Sequence, residues 1–221
     1  MSRIITLDVE TTGLSVTNSH RIIELACVEV GKEYSSYFHR YINPERDVDY
    51  GAYKVHGISD GFLKDKPKFR DIAAEFLAFI SGAEIVIHNA PFDLSFVNHE
   101  LKLSRMNVKS LESICKIIDS LKIARAMFPR CPNKLDDLAS RFNINTSRDK
   151  HGALLDARIL SEVYTGLINK SSGNEGINTT SNQSEFTIIT CPECSQLLRV
   201  PKGKRLRVTC SNCKRVFERM T

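Results

Sequence analysis

The order of apolar and polar positions predicts that the chain opens with three strands. Apolar and β-branched residues fill Ile4–Val9 and Ile22–Val30, a Gly-containing turn separates these two runs, and Tyr34–Ile42 is rich in aromatic residues. Runs of this composition between turn residues are typical of strands. Consecutive strands of this kind predict an antiparallel meander.

Farther along the chain, helical and strand patterns alternate. Asp71–Ile80 repeats apolar residues at helical spacing before Gly82, a common helix stop, and an apolar run follows over Glu84–Ile87. The remaining elements are expected over about Asp93–Leu101, Leu121–Met127, Lys134–Phe142 and Ala153–Ile168 as helices, and near Ile114–Ile118 as a strand. A meander followed by alternation predicts an α/β domain with a mixed sheet.

A change in composition near residue 169 predicts a linker. Residues 169–186 are rich in Ser, Asn, Thr and Gly, with Ile177 as their one aliphatic residue. Segments of this kind behave as flexible connections. The sequence therefore predicts a first domain over residues 1–168, a flexible linker over 169–186 and a small second domain over 187–221.

The net charge of +5 is concentrated in the tail. Residues 191–221 contain eight Lys or Arg against two Glu, which leaves residues 1–190 at about −1. No apolar run is long enough to span a bilayer, and the N-terminus lacks the order of charged, apolar and small residues found in secretory signals. We therefore expect a cytoplasmic protein with no membrane partner.

Two carboxylates interrupt the first predicted strand. Asp8 and Glu10 lie two residues apart, and side chains with this spacing share one face of a strand. Like charges held side by side in a half-buried position repel, so something must compensate them. A divalent cation is the compensation we expect.

Polar residues also mark the ends of two later elements. Asp93 follows the apolar run Glu84–Ile87, at the carboxyl end of a predicted strand, where α/β proteins commonly place ligands. His151 and Asp156 are five residues apart and would point to different faces of one continuous helix. Both can face one site if His151 lies on the loop before the helix, with Gly152 permitting the bend.

Other polar residues are weaker candidates for this site. We expect Asp119, Asp136 and Asp137 to be turn, cap or surface carboxylates. Glu24 lies on a predicted apolar strand. Its place there predicts either a basic partner or a position at the border of the site.

Five stretches of the chain carry a family resemblance: LDVETTGL, HRIIELACVEV, VHGISDGFLKDKP, VIHNAPFDLSFVNHEL and HGALLDARILSEVY. They resemble the DEDDh exonuclease family and, within it, the epsilon proofreading subunits of bacterial DNA polymerase III. The resemblance covers about residues 3–168 and includes, in order, an Asp-x-Glu, a second Asp and a His-x-x-x-x-Asp motif. It implies a ribonuclease H-like fold, a mixed five-stranded sheet flanked by helices.

The resemblance also implies a reaction. Four carboxylates would hold two Mg²⁺ or Mn²⁺ ions, for which hard oxygen ligands are suited: Asp8, Glu10, Asp93 and Asp156. His151 would take a proton from the attacking water, as an imidazole can near neutral pH. The implied activity is a two-metal 3′ to 5′ exonuclease that removes nucleoside 5′-monophosphates from single-stranded or frayed DNA ends, in proofreading or repair.

A further implication is a pocket for the terminal nucleotides. Stacking on the flat faces of bases would make this pocket indifferent to sequence. Its residues would be Thr11, Thr12, Gly13, Leu14, His56, Asn89 and Phe92. Two alternatives stay open: an exoribonuclease that trims RNA, since nothing in the sequence excludes a 2′-hydroxyl, and a non-catalytic scaffold that binds nucleic-acid ends.

Four cysteines in the tail predict a zinc ribbon. They form two Cys-x-x-Cys pairs with fifteen residues between them, a spacing typical of a closed structural Zn²⁺ site: Cys191, Cys194, Cys210 and Cys213. A segment this small needs a bound metal ion of this kind to fold. We expect Leu197–Val200 to pair with Arg205–Thr209 as a hairpin.

The partner of this ribbon stays open between a protein and a nucleic acid, because a basic surface suits both. In the epsilon subunits that the chain resembles, the segment after the exonuclease domain carries sliding-clamp and polymerase-binding motifs. Here the linker offers only Gln183–Phe186 as a poor clamp candidate. The sequence therefore leaves open whether DNA polymerase III subunits are partners.

Overall fold

The computed structural model describes residues 2–146, 150–172, 186–193, 197–201, 203, 205–210 and 214–220. The chain forms two compact units, residues 1–173 and 174–221. Most of the predicted linker, 169–186, lies outside the described residues, and so do Cys194 and Cys213. In the part of the chain that is described, no helix is both long and apolar enough to cross a bilayer.

A mixed five-stranded sheet forms the centre of the first unit. Its strands are β1 (Arg3–Thr11), β2 (Ile22–Glu29), β3 (Tyr37–Tyr41), β4 (Ala83–Ile87) and β5 (Lys116–Asp119), in the spatial order β3-β2-β1-β4-β5. β2 pairs antiparallel with β1 and β3, whereas β4 pairs parallel with β1 and β5. The meander and the parallel strands after it confirm the predicted fold class.

Helices flank this sheet on both sides. Within residues 2–146 and 150–172 they are α1 (Tyr50–His56), α2 (Asp60–Leu63), α3 (Phe69–Ile80), α4 (Ala90–Leu103), α5 (Ser120–Met127), α6 (Leu135–Arg141) and α7 (Ala153–Ser171). Short 3₁₀ turns cover Val16–Asn18 and Leu111–Ser113. α1 and α2 are not among the helices that the apolar pattern of the sequence predicts.

Some predicted boundaries differ from the structure. α4 begins at Ala90 rather than at Asp93, because Pro91 is well suited to the first turn of a helix. β3 is shorter than predicted, and β5 begins at Lys116 because a 3₁₀ turn precedes it. α7 continues to Ser171, beyond its predicted end at residue 168.

The first strand lies between two helical layers. Ile5, Leu7 and Val9 point into the core formed with α3 and α4. The alternate side chains face α7, since the Thr6 hydroxyl donates a hydrogen bond to the carbonyl oxygen of Ala157 at 2.7 Å. The two-residue period of a strand therefore directs the carboxylates that follow Thr6 toward the start of α7.

Two small antiparallel sheets make up the described part of the second unit. β6 (Phe186–Thr190) pairs with β7 (Leu197–Pro201), and β8 (Arg205–Thr209) pairs with β9 (Val216–Met220). The expected pairing of Leu197–Val200 with Arg205–Thr209 is wrong. Each strand pairs instead with its neighbour across a segment that contains one Cys-x-x-Cys pair.

Candidate active site

Three carboxylates meet where β1 passes the start of α7. One oxygen from each of Asp8, Glu10 and Asp156 lies within 4.8 Å of the other two. Asp8 and Glu10 are two residues apart on β1, and Asp156 is buried in the first turn of α7. The structure thus brings together residues that are almost 150 positions apart in the sequence, about as the strand period and the helix start predict.

Asp93 reaches the same strand from α4. It is buried, and its Oδ1 accepts a hydrogen bond from the backbone N–H of Val9 at 3.2 Å. Val9 lies between the two carboxylates of β1, so Asp93 borders them without belonging to the group of three. Asn89, the residue that precedes α4, has a left-handed backbone with φ of 70°.

Burial and mutual repulsion make ionisation of this cluster costly. Withdrawal from water raises the pKa of Asp8, and the charges of the nearby carboxylates, Asp93 first, raise it further. Burial likewise raises the pKa of Asp93 to about 7. Carboxylates destabilised in this way favour a bound cation, which relieves both the repulsion and the desolvation.

His151 lies on the loop just before α7, as predicted. Its Nδ1 is 2.9 Å from Oδ2 of Asp156, and its side chain is 46% exposed whereas that of Asp156 is 7% exposed. The imidazole can therefore meet both the carboxylate cluster and solvent. The predicted role of Gly152 is wrong, because its φ of −167° is open to any residue.

Glu24 fixes the start of α7 against β2. Its Oε1 lies 2.7 Å from Nε2 of His39, and its Oε2 accepts a hydrogen bond from the backbone N–H of Ala153 at 3.1 Å. Glu24 is also opposite Glu10 in the β1–β2 register. The expectation of a basic partner is confirmed, and the side chain borders the site as well.

The loop after β1 is held by close contacts. The Thr12 hydroxyl accepts a hydrogen bond from the backbone N–H of Arg21 and lies 3.0 Å from Nδ1 of His20. A Cβ on Gly13 would lie 2.3–2.5 Å from atoms of the His20 imidazole. Glycine at this position is therefore required by the packing of the loop.

The other predicted pocket residues lie next to Gly13 in the sequence, at the end of α1 and at the start of α4. The Thr11 hydroxyl donates to the carbonyl oxygen of Gly13, which keeps the turn after β1 tight. Leu14 is 87% exposed, and the half-buried ring of Phe92 packs on Phe96 with centroids 5.1 Å apart. His56 is buried, and among the described residues its Nε2 has no hydrogen-bond partner.

An ion pair that the sequence does not predict supports the same loop. Arg21 donates to Glu100 through Nε at 2.7 Å and Nη2 at 2.8 Å, and the backbone N–H of Ile22 also reaches this carboxylate. Glu100 is 1% exposed, on the buried side of α4. In the sequence, Glu100 stands out only as a carboxylate between apolar residues of a predicted helix.

The carboxylates expected to act as caps do so. Asp119 accepts hydrogen bonds from the backbone N–H groups of Leu121 and Lys122 at the start of α5. Asp137 accepts one from the backbone N–H of Lys134 at the start of α6, and Asp136 is exposed there. Helix starts explain these three side chains without a metal.

The fold and this acidic site define a nuclease of the ribonuclease H-like class. A family model described as "Exonuclease" matches residues 5–164, and the chain belongs to this family. A solved structure described as Exonuclease X in complex with 5′ overhanging duplex DNA aligns with a TM-score of 0.61 at 23% identity, over 76% of this chain and 93% of that one. At this identity the likeness shows the shared fold.

Sequence relatives define the branch of the family. The epsilon subunit of DNA polymerase III from Rickettsia typhi is 45% identical over 201 residues, which cover 89% of this chain and 87% of the relative. The epsilon subunit from Escherichia coli strain K12 is 44% identical over 211 residues, 90% and 86% of the two chains. The chain is a 3′ to 5′ exonuclease of the epsilon branch.

Proposed function

We propose that the protein removes nucleoside 5′-monophosphates from single-stranded or frayed DNA 3′ ends as a two-metal proofreading exonuclease. The observation that carries this proposal is the meeting of Asp8, Glu10 and Asp156 within 4.8 Å, with His151 bonded to Asp156. Those groups supply cation ligands and a base in one place. Groups whose pKa values are strongly shifted, such as Asp8 and Asp93, cluster at functional sites.

The donor set fits Mg²⁺ or Mn²⁺. The group of three carboxylates on β1 and α7, together with Asp93 beside them, offers only hard oxygen atoms. The raised pKa of Asp8 means that its ionised form is unfavourable in the fold, and a bound cation would stabilise that form. When bound, two divalent ions supply Lewis acidity that activates water and stabilises the leaving oxygen of an in-line displacement at phosphorus.

His151 is the residue that we assign to proton transfer. With Nδ1 held by Asp156, Nε2 is the nitrogen that accepts a proton from the attacking water. Glu24 keeps this loop in place, because it binds the backbone of Ala153 at the start of α7. The imidazole then has both a fixed orientation and access to solvent, which a base must have to release its proton.

The loop after β1, the end of α1 and the start of α4 would hold the 3′-terminal nucleotides. The exposed Leu14 and half-buried Phe92 offer apolar surface for bases, and His56 at the end of α1 is the polar residue that we assign to this pocket. The tight turn at Gly13 allows backbone groups to approach a nucleotide closely. None of these contacts selects a particular base, which suits removal of any terminal nucleotide.

Relatives at 44–45% identity that are named epsilon subunits of DNA polymerase III favour DNA as the substrate and subunits of that polymerase as partners. This setting also supports the cytoplasm as the location. A role in proofreading follows, since a mispaired end frays more readily than a paired one and so reaches the site more often. The clamp candidate Gln183–Phe186 begins outside the described residues and stays a prediction.

The substrate assignment is tested by digestion of 5′-labelled strands with Mg²⁺ or Mn²⁺. We expect stepwise shortening of mispaired DNA in preference to paired DNA, and of DNA in preference to RNA of the same sequence. Preferential shortening of RNA would show that the protein is an exoribonuclease that trims RNA. Binding of ends without cleavage would support the scaffold alternative instead.

We also propose that the second unit is a zinc ribbon held by Cys191, Cys194, Cys210 and Cys213. Cys191 and Cys210 are 1% and 0% exposed, respectively. The backbone N–H of Cys210 donates to the carbonyl oxygen of Arg215, and the carbonyl oxygen of Cys210 accepts from the N–H of Lys214. These bonds bring Lys214 and Arg215 beside Cys210, as binding of one metal ion by both cysteines of a Cys-x-x-Cys pair requires.

Removal of the first cysteine pair is expected to release zinc without stopping catalysis. Cys191→Ser with Cys194→Ser should lose the single bound Zn²⁺ and the cooperative unfolding of the tail, because a ribbon this small depends on its metal. The rate on short oligonucleotides should stay within about twofold, since the carboxylate site belongs to the first unit. Metal content and turnover measure the two effects.

The matched control is Cys131→Ser, an exposed cysteine of the first unit. It should retain zinc in full. Loss of most turnover on short strands in the double variant would show that the tail takes part in the active site, and an unchanged zinc content would remove the ribbon proposal.

A further inference from the structure

We propose that α1 and the residue before His151 form a surface that binds the single strand on the 5′ side of the terminal nucleotides. We call this surface the α1 platform, and its residues are Tyr50, Tyr53, Lys54 and Lys150. The proposal rests on the proposed function and deepens it, because it assigns a path for the strand beyond the terminal pocket.

Backbone contacts place α1 between two parts of the active site. The N–H of Asp49, just before the helix, donates to the carbonyl oxygen of Thr12 at 3.0 Å. At the other end of the helix, the N–H of His151 donates to the carbonyl oxygen of Val55 at 3.2 Å. The helix thus runs from the proposed nucleotide loop to the proposed base, so its exposed face borders the place where we propose that the strand continues.

The outer face of this short helix is aromatic and exposed. Tyr50 is 73% exposed and Tyr53 is 41% exposed. These positions, together with Lys54, are three and four residues apart, so they share one face of the helix. Contiguous exposed apolar surface often marks an interaction site, and here two rings share one face of a helix whose ends contact the proposed nucleotide loop and the loop of the proposed base.

Lysine ammonium groups accompany both rings. Lys54 Nζ lies 5.4 Å from the ring centroid of Tyr50, and Lys150 Nζ lies 5.6 Å from that of Tyr53. Lys150 Nζ also donates to the carbonyl oxygen of Lys54 at 3.2 Å, which ties the loop before α7 to α1. Two rings and two cations are therefore held together within one small surface.

This combination suits a single-stranded nucleic acid. Aromatic rings stack on unpaired bases of any sequence, while ammonium groups meet the phosphates between them. The carboxylate cluster at the centre of the site repels the same phosphates whenever cations do not neutralise it. Lysines at its border would offset that repulsion and keep the strand in place as the end recedes.

The test compares kcat/KM for a single strand of about 20 nucleotides with kcat/KM for the p-nitrophenyl ester of thymidine 5′-monophosphate, which has no 5′ strand. In the full-length chain, Tyr50→Ala with Lys54→Ala should lower the ratio of these two constants about tenfold, mainly through KM for the strand. The dependence of that KM on salt should also weaken, because one fewer phosphate contact is made.

The matched control is Lys102→Ala with Leu103→Ala, an exposed lysine and apolar residue at the far end of α4, about 15 Å along the helix from Asp93. It should leave the ratio unchanged. An unchanged ratio in the α1 variant would overturn the proposal and leave the exposed face for a protein partner. An equal loss on both substrates would also overturn it, whereas failure of the unaltered protein to cut either substrate would instead contradict the proposed function.

Discussion

Asp8→Asn is expected to lower exonuclease turnover by about a thousandfold or more at saturating Mg²⁺. Asp8 belongs to the group of three carboxylates, and Asp93 lies close enough to raise its pKa. An amide at this position keeps the shape but removes the charge that holds divalent ions. Metal catalysis contributes several kcal/mol to such reactions, so its loss has an effect of this size. Initial rates on a labelled single strand measure it.

Thermal unfolding in the presence of a chelator separates this effect from loss of structure. The pKa of Asp8 is higher in the fold than in the unfolded chain, so its ionised form destabilises the metal-free protein at neutral pH. Asp8→Asn removes that charge and should unfold at the same or a higher temperature. A lower unfolding temperature together with lost activity would assign the loss to the fold rather than to metal binding.

His151→Gln is expected to lower kcat by about 10²- to 10⁴-fold, the usual contribution of a general base. Glutamine can keep a hydrogen bond to Asp156, but it cannot take a proton from water near neutral pH. The side chain of His151 is 46% exposed, so the change should cost little stability. Rates measured as a function of pH should show partial recovery in alkaline solution, where hydroxide replaces the base.

A second histidine provides the comparison. His99 lies on α4 and is half buried, and we assign it no part in the reaction. His99→Gln should keep turnover within about twofold. Equal activity of the His151 variant and the unaltered protein would show that His151 is not the general base and that solvent takes the proton.

Side-chain periodicity explains how much of the site the sequence predicts. Alternation along β1 places Asp8 and Glu10 on one face, and the loop before α7 places His151 apart from the helix. Both inferences depend on local geometry, which a short stretch of sequence determines. The loop position allows both His151 and Asp156 to face one site, and the 2.9 Å bond between them is seen only in the structure.

Features that depend on distant contacts were harder to predict. The α1 sequence, YGAYKVH, contains glycine and aromatic residues of low helix propensity, and the helix forms because its ends bind to the loop after β1 and the loop before α7. Glu100 gave no local sign that Arg21 would be its partner, 79 residues away. Long-range packing decides such elements.

The tail shows the same limit for strand pairing. The runs Leu197–Val200 and Arg205–Thr209 lie close in sequence around Pro201 and Gly203, which favours a hairpin between them. In the structure each pairs instead with the strand on the far side of its own cysteine pair. A metal ion bound by the cysteines would hold together the two ends of each Cys-x-x-Cys segment. That would explain why β6 pairs with β7 and β8 with β9, rather than β7 with β8.

Following both ends of one DNA strand during digestion tests the direction of cleavage and its dependence on metal together. With Mg²⁺, we expect a label in the 3′-terminal nucleotide to be released first, as a nucleoside 5′-monophosphate, while a 5′ label passes through a ladder of shorter strands. Chelation or Asp8→Asn should stop both changes. Early release of the 5′ label, internal cuts, or equal release in the Asp8→Asn variant would contradict a metal-dependent 3′ to 5′ exonuclease built on these carboxylates.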